Sequence, residues 1–220
     1  MDKQQIDNRL ADAVSGKEAN IAEAREGFTT LLSILADLRG PGGCPWDAEQ
    51  SLASLRQYIR EEADELVEAI DNILAFEDEL RLKHGIEQAN PTPPAGDDKA
   101  RTEKKGLSIA HHPHRPGFDP AISASGAPLP VELSADDSKE LDRLYGAMQD
   151  EMGDIMLQGA FLGDILIAMG RGGIERGLQL IVEKMIRRHP HVYGDRQVAD
   201  SSEVLSNWES IKQAERDNNK

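Results

Sequence analysis

Two pairs of acidic residues, each set inside a helical pattern of apolar residues, constrain this chain more than any other feature. The pairs are Glu62 with Glu65 and Glu151 with Asp154. At about 100° per residue, the apolar residues near the first pair form one stripe on a helix. These residues are Leu55, Ile59, Leu66, Ile70 and Ile73. Glu62 falls at the edge of that stripe and Glu65 on its shoulder.

The second pair lies still closer to an apolar face. Its core side is defined by Ile155, Phe161, Leu162 and Ile165. Glu151 and Asp154 both point into that sector. A buried carboxylate without a cation is very costly, so acids in these positions need a positive partner. The alternative is that both pairs lie on solvated helix faces, since the chain has 40 acidic residues.

Carboxylates from two helices would form a hard, all-oxygen site that suits Mg²⁺, with Mn²⁺ as a possible substitute. The predicted ligands are Glu62, Glu65, Glu151 and Asp154. Such a site indicates metal-assisted chemistry on phosphate groups, because a divalent ion neutralises oxygens and activates water.

The composition favours one all-α domain over residues 1–220. The chain is 39% hydrophobic but only 4% aromatic, which is typical of helices packed by Leu, Ile and Ala. A net charge of −15 argues against binding to nucleic acid or to an anionic membrane. A small anionic substrate remains compatible with it, because bound cations reverse the local field.

One cysteine, Cys44, excludes an intramolecular disulfide and favours a reducing, cytoplasmic location. The polar N-terminus lacks the apolar segment of a signal peptide. No stretch approaches the roughly 18 apolar residues of a membrane helix.

Helical periodicity predicts a bundle interrupted by one long insertion. The predicted helices cover about 17–38, 51–76 (with 84 as the alternative end), 136–145, 147–169, 174–188 and 202–216. Either Ser51 or Asp47 could cap the second of these. Most of the 11 prolines lie in a segment at about 85–134 without apolar periodicity, which predicts a loop or a disordered insertion. Its histidines 111, 112 and 114 lack the other ligands of a zinc site.

Five motifs, in this order, resemble the MazG family of all-α nucleoside triphosphate pyrophosphohydrolases. They are LRGPGGCPWDAEQ at 38–50, EEADELVEAI at 61–70, EMGDIMLQ at 151–158, EKMIRRHPHVYGD at 183–195 and WESIK at 208–212. The chain differs from typical members in its long insertion, and in Ser51-Leu52 where the family usually has Thr-His.

The resemblance implies hydrolysis of an NTP or dNTP to the monophosphate and pyrophosphate, with Mg²⁺ required. It also implies a homodimer or a higher homo-oligomer with a helical bundle. It carries over Glu62, Glu65, Glu151 and Asp154 as metal ligands. The positions that would contact the nucleotide are Lys184, Arg188, Trp208 and Lys212.

Several roles stay open at this point. Glu61 or Glu65 would orient the attacking water, so the predicted catalytic residues are Glu61, Glu62 and Glu65. Lys184 and Arg188 share one helix face and suit phosphate, but cations also favour a helix C-terminus. Trp208 could stack on a base or anchor a core. The whole protein could instead be a nucleotide-binding dimer without turnover, or a hydrolase of a modified nucleotide.

Overall fold

The computed structural model describes residues 2–86, 129 and 132–218, and this part of the chain folds into helices without any strand. The helices are α1 (Lys3–Ala13), α2 (Glu18–Arg39), α3 (Pro45–Glu49), α4 (Leu52–Lys83), α5 (Ala135–Ala168), α6 (Ile174–Arg188), α7 (Pro190–Tyr193) and α8 (Ser201–Asn218). The predicted all-α class is confirmed. Most of the predicted 85–134 insertion, including its three histidines, lies outside the described residues.

The chain forms two compact units. The first contains Met1–Arg56 and Leu157–Lys220, and the second contains Gln57–Met156. Helices α4 and α5 contribute residues to both units. Within the described ranges, none of the helices has the length and apolar content needed to span a bilayer.

Several helix boundaries agree with the sequence prediction and others do not. Ser51 is the cap of α4, because its side chain accepts a hydrogen bond from the Ser54 amide while the Ser54 hydroxyl accepts one from the Ser51 amide. The two helices predicted at 136–145 and 147–169 are one continuous helix, α5, with Gly146 inside it. A single glycine lowers helix stability by only about 1 kcal/mol, which tertiary packing easily offsets. Helices α1, α3 and α7 were not predicted.

A tight glycine loop in the first unit ends α2 and starts α3. Gly42 has a backbone φ angle of 84°, which residues other than glycine rarely adopt. A Cβ atom on Gly43 would lie 2.3 Å from the carbonyl oxygens of Asp37 and Leu38, so no larger residue fits there. The Cys44 amide then donates to the Leu38 carbonyl at 2.7 Å. The loop therefore folds back directly on the end of α2.

Arg39, the last residue of α2, ties this loop to α5. Its Nε donates to Asp164 at 2.5 Å, and its Nη1 donates to the Asp47 carbonyl. Its guanidinium also lies 5.2 Å from the ring centroid of Phe161. A guanidinium can make these contacts at once because its donors form a fixed planar fork. Arg39 thus joins α2, α3 and α5 within the first unit.

The second unit packs the antiparallel parts of α4 and α5 against each other. Its buried apolar residues are Ala69, Ile73, Leu80, Leu141 and Leu144. Ala69, and not the predicted Ile70, is buried; Ile70 is 37% exposed. The apolar stripe therefore runs one residue away from its predicted position at this turn.

A buried ionic network lies near the end of α4. Glu77 and Arg81 are 0% and 2% exposed and form an ion pair at 3.1 Å. The Tyr145 hydroxyl donates to Glu77 at 3.1 Å, and Asp78 accepts from Arg81 at 2.7 Å. Hydrogen bonds to both members are what make a buried pair tolerable. Because Tyr145 belongs to α5, the network fixes how α4 and α5 are aligned.

Candidate metal centre

Three carboxylates converge in the second unit. Glu62 comes from α4, and Glu151 and Asp154 come from α5. Each can offer one oxygen such that these oxygens all lie within 4.8 Å of one another. All three residues are half-buried. The structure therefore brings together three of the four acids predicted from the sequence.

Helix geometry explains this convergence. Glu151 and Asp154 are three residues apart on α5, so their side chains lie on the same face. Glu62 lies on the side of α4 that carries the buried residues Leu55, Ala69 and Ile73. The acids thus lie at the margin of the interface between two packed helices, as their phase within the apolar pattern predicted.

Glu65, the fourth predicted ligand, is exposed and lies outside this group of three. It is nevertheless close enough to Glu151 to affect its ionisation. Partial burial raises the pKa of Glu151, and the negative charge of Glu65 raises that pKa further. Asp154, Asp150 and Glu62 act on Glu151 in the same direction. The surrounding negative charge therefore makes ionisation of Glu151 less favourable than that of an ordinary glutamate.

The donor set fits a hard divalent cation. It contains only carboxylate oxygens, which are the ligands that Mg²⁺ and Mn²⁺ prefer. Its mutual repulsion would be relieved by a bound positive charge. Glu62, Glu151 and Asp154 could hold the ion, with Glu65 beside them.

Glu61 has a different environment from its neighbour Glu62. It is exposed on α4 and accepts a hydrogen bond from the side-chain amide (Nε2) of Gln57 at 2.8 Å. It does not belong to the group of three carboxylates.

The residues predicted to contact the nucleotide all belong to the first unit. Lys184 and Arg188 are half-buried on α6, and Trp208 and Lys212 are half-buried on α8. Arg188 donates to Glu215 of α8 at 2.5 Å. The two helices therefore meet at the C-terminal end of α6.

An aromatic contact adds to this junction. The rings of His189 and Trp208 meet edge to face, with centroids 5.0 Å apart. The ammonium of Lys212 lies 6.0 Å from the Trp208 ring centroid and pairs with Glu209 at 2.9 Å. Trp208 is thus engaged by protein groups on more than one side.

Three polar atoms of this region are buried without a hydrogen-bond partner among the described residues. They are Nδ1 of His191, Nδ2 of Asn207 and Nε1 of Trp208. Burial lowers the pKa of His191, and the positive charges of His189 and Arg196 lower it further. Buried polar atoms are normally paired, so this cluster is unusual.

Sequence reasoning missed the residues that hold these elements in place. Glu215 pairs with Arg187 and Arg188, and Arg39 pairs with Asp164. The partners of each pair are distant in sequence, so no local spacing identifies them. Only the position of Arg39 inside the glycine-rich motif could have suggested its role.

A family model matches part of this chain. Residues 132–193 match the model of the MazG nucleotide pyrophosphohydrolase domain. The matched segment contains Glu151, Asp154, Lys184 and Arg188, but not the acids of α4.

Curated relatives align over most of the chain. "Uncharacterized protein YabN" of Bacillus subtilis is 32% identical over 86% of this chain and 24% of its own length. "Nucleoside triphosphate pyrophosphohydrolase/pyrophosphatase MazG" of Thermotoga maritima is 29% identical over 91% of this chain and 48% of its own length. "Nucleoside triphosphate pyrophosphohydrolase" of Escherichia coli K12 is 28% identical over 84% and 44%, respectively.

The protein is therefore an all-α protein with a carboxylate centre, and it is a relative of the MazG proteins. The resemblance seen in its sequence motifs is confirmed. The chain spans between about a quarter and a half of the length of these relatives. No solved structure matches it significantly.

Proposed function

We propose that this protein hydrolyses nucleoside triphosphates to the monophosphate and pyrophosphate, and that it needs Mg²⁺ to do so. The convergence of Glu62, Glu151 and Asp154 is the observation that carries this proposal. The names of the relatives from Thermotoga maritima and Escherichia coli support the reaction and the substrate class.

Glu62, Glu65, Glu151 and Asp154 would hold the metal. When bound, a divalent ion supplies Lewis acidity, which neutralises phosphate oxygens and makes water more acidic. Without a bound cation, the four carboxylates would repel the triphosphate, because both are negatively charged.

A protein group must orient the attacking water and accept its proton, and we assign this to Glu61 or Glu65. Glu65 lies beside Glu151, whose pKa it raises. Glu61 is held by Gln57 and is free of the crowded carboxylate group. If Glu65 is the base as well as a metal ligand, Glu65→Gln should lower kcat far more than Glu61→Gln even when Mg²⁺ is saturating, with little change in KM. The reverse order would assign the base to Glu61.

Lys184, Arg188, Trp208 and Lys212 would contact the nucleotide. The guanidinium of Arg188 and the ammonium of Lys184 suit phosphate oxygens. Trp208 and Lys212 would contact the nucleotide beside them. Substituting Lys184 by Gln should raise KM for every NTP by a similar factor, since a phosphate contact does not distinguish bases.

A homodimer is part of the proposal. One face of α6 exposes Leu178, Ile181, Val182 and Met185, at 37–53% of their surface. An exposed apolar face on an amphipathic helix is typical of a subunit interface. Light scattering should report twice the chain mass for the wild type, and a charged substitution such as Val182→Glu should lower it to one chain mass.

The function is tested with a panel of the eight common NTPs and dNTPs and several modified nucleotides. Wild type, Glu62→Gln and the exposed control Glu23→Gln are each assayed with Mg²⁺ and with EDTA. We expect the wild type and the control to hydrolyse substrate with Mg²⁺ but not with EDTA. Binding of nucleotides without turnover of any substrate would overturn the proposal.

A further inference from the structure

A cleft of about 370 Å³ begins at the carboxylate centre and continues between α4 and α5 in the second unit. Glu65 and Glu151 line its first end. Asn72 and Arg143 line the opposite end. Asn72 lies seven residues beyond Glu65, so the cleft follows α4 for about 10 Å at 1.5 Å per residue. Its volume falls within the range of small-molecule sites.

Most residues that line the cleft are charged or polar, and an apolar patch lies among them. Ala69, Leu144 and Ala147 supply the apolar part, and the buried Leu144 also belongs to the core. The small side chains of Ala69 and Ala147 leave the space between the two helices open. The apolar patch can contact the face of a ring, and the polar side chains around it can contact the edge of that ring.

Electrostatics decide which part of a nucleotide fits there. Three carboxylates, those of Glu65, Glu68 and Glu151, line the cleft against one guanidinium, that of Arg143. Arg143 is already neutralised by two hydrogen bonds to Glu140, at 2.7 and 2.9 Å. A phosphate chain would meet net negative charge along this path, whereas an uncharged ring system would not.

We propose that this cleft receives the nucleoside part of the substrate and that Asn72 helps to select the base. This inference rests on the proposed function, because it places the phosphates at the adjoining metal centre. The Asn72 side chain offers both a carbonyl acceptor and an amide donor, which is the combination needed to read the polar edge of a base. Arg143 would cover the far end, where its planar guanidinium can stack on a ring.

Discrimination between bases would come from polar groups that are left without hydrogen-bond partners. A base whose edge does not match the Asn72 amide would leave polar atoms unpaired inside the cleft, which costs about 1–3 kcal/mol. That range corresponds to a factor of about 5 to 150 in affinity. Asn72 itself is exposed on α4, so its substitution should not disturb the core.

The test measures binding of the four common nucleoside monophosphates to the full chain by calorimetry. It compares wild type, Asn72→Ala, Ala147→Leu and the exposed neighbour variant Asp71→Ala. We expect the wild type and Asp71→Ala to share one order of preference. Asn72→Ala should reduce the ratio between the affinities for the best-bound and the worst-bound base at least fivefold. Ala147→Leu should weaken every nucleoside at least tenfold by filling the cleft, while its affinity for Mg²⁺ stays the same.

The outcomes separate this inference from the proposed function because binding does not require turnover. If NTPs are hydrolysed but Asn72→Ala keeps the wild-type base ratio, the inference is wrong and the function stands. If no NTP is hydrolysed but the monophosphates bind with the expected dependence on Asn72, the cleft assignment stands and the function fails. Equal affinity of the wild type for all four bases, or undiminished binding by Ala147→Leu, would also overturn the inference.

Discussion

Arg188 donates two hydrogen bonds to Glu215, at 2.5 Å from Nη2 and at 3.3 Å from Nε. Arg187 donates another to the same carboxylate at 2.8 Å. The hydrogen bonds from Arg188 and then from Arg187 lower the pKa of Glu215 from its ordinary value of 4.5 to about 2. This carboxylate therefore fixes the side chain of a residue that is proposed to contact the substrate.

The pair predicts a specific dependence of stability on pH. A carboxyl group with a lowered pKa in the folded state stabilises the fold above its unfolded pKa, and this contribution is lost as the pH falls. Glu215→Gln should therefore be less stable than the wild type at neutral pH, and the difference should shrink between pH 4.5 and about 2. Chemical denaturation across this range measures it.

Glu183→Gln, an exposed substitution on α6, is the matched control for this experiment. Its stability should follow the wild type at every pH. A difference between Glu215→Gln and wild type that stays constant down to pH 2 would contradict the assigned ion pair.

The crowded carboxylates predict that substituting Glu151 has opposite effects on stability in the absence and in the presence of metal. Without metal, partial burial and the neighbouring acids disfavour the charged form, so Glu151→Gln should raise the midpoint of thermal unfolding in EDTA at neutral pH. With Mg²⁺ at 100 times its dissociation constant, the wild type should gain about 2.7 kcal/mol, and the variant should lose most of this gain. Differential scanning fluorimetry with and without Mg²⁺ measures both effects. A variant that is less stable than the wild type in EDTA would show that repulsion at this site is negligible.

The stability of the fold should be sensitive even to a conservative substitution of Arg39. Arg39→Lys keeps the charge but cannot contact both Asp164 and the Asp47 carbonyl in the same way. We expect a loss of about 1.5–3 kcal/mol of unfolding free energy, the usual value for a hydrogen bond to a charged group. Arg25→Lys, at an exposed position of the same helix, should change stability by less than about 0.5 kcal/mol. Equal stability of the two variants would show that the contacts of Arg39 with Asp164 and the Asp47 carbonyl do not stabilise the fold.

The buried Glu77–Arg81 pair should behave as a unit. Glu77→Leu alone leaves a buried guanidinium with less compensation and should lower the unfolding free energy by about 3–5 kcal/mol. The double variant Glu77→Leu/Arg81→Met should recover much of that loss, because no buried charge then remains. Urea denaturation of the two single variants and the double variant provides the cycle. Losses that simply add would indicate that the two side chains do not interact.

Local periodicity predicted most of the long helices and the approach of three acids from α4 and α5, whereas the short helices α1, α3 and α7 and the continuity of α5 were missed. Helix α6 was predicted at 174–188 and is found there. Glu62 was predicted at the edge of the apolar stripe, and Glu151 and Asp154 in the core sector; all three are half-buried. A 3.6-residue repeat fixes which residues share a face, and this is the information that a metal site on two helices requires.

The remaining features depend on contacts between residues far apart in the chain. The Arg39–Asp164 and Arg188–Glu215 pairs leave no local pattern. The cleft exists because two alanines, Ala69 and Ala147, come to line one space between α4 and α5. Ile70 and Ala69 are adjacent, and only the packing of the helix decides which of them is buried. Such choices are made by tertiary structure and cannot be derived from periodicity alone.

The identity of the released products tests the central claim most directly. Wild type and Glu62→Gln would be incubated with a preferred NTP and Mg²⁺, and monophosphate, diphosphate, pyrophosphate and orthophosphate would be quantified by anion exchange. The account predicts equal amounts of monophosphate and pyrophosphate from the wild type, and a loss of both with Glu62→Gln or EDTA. Equal amounts of diphosphate and orthophosphate would contradict it.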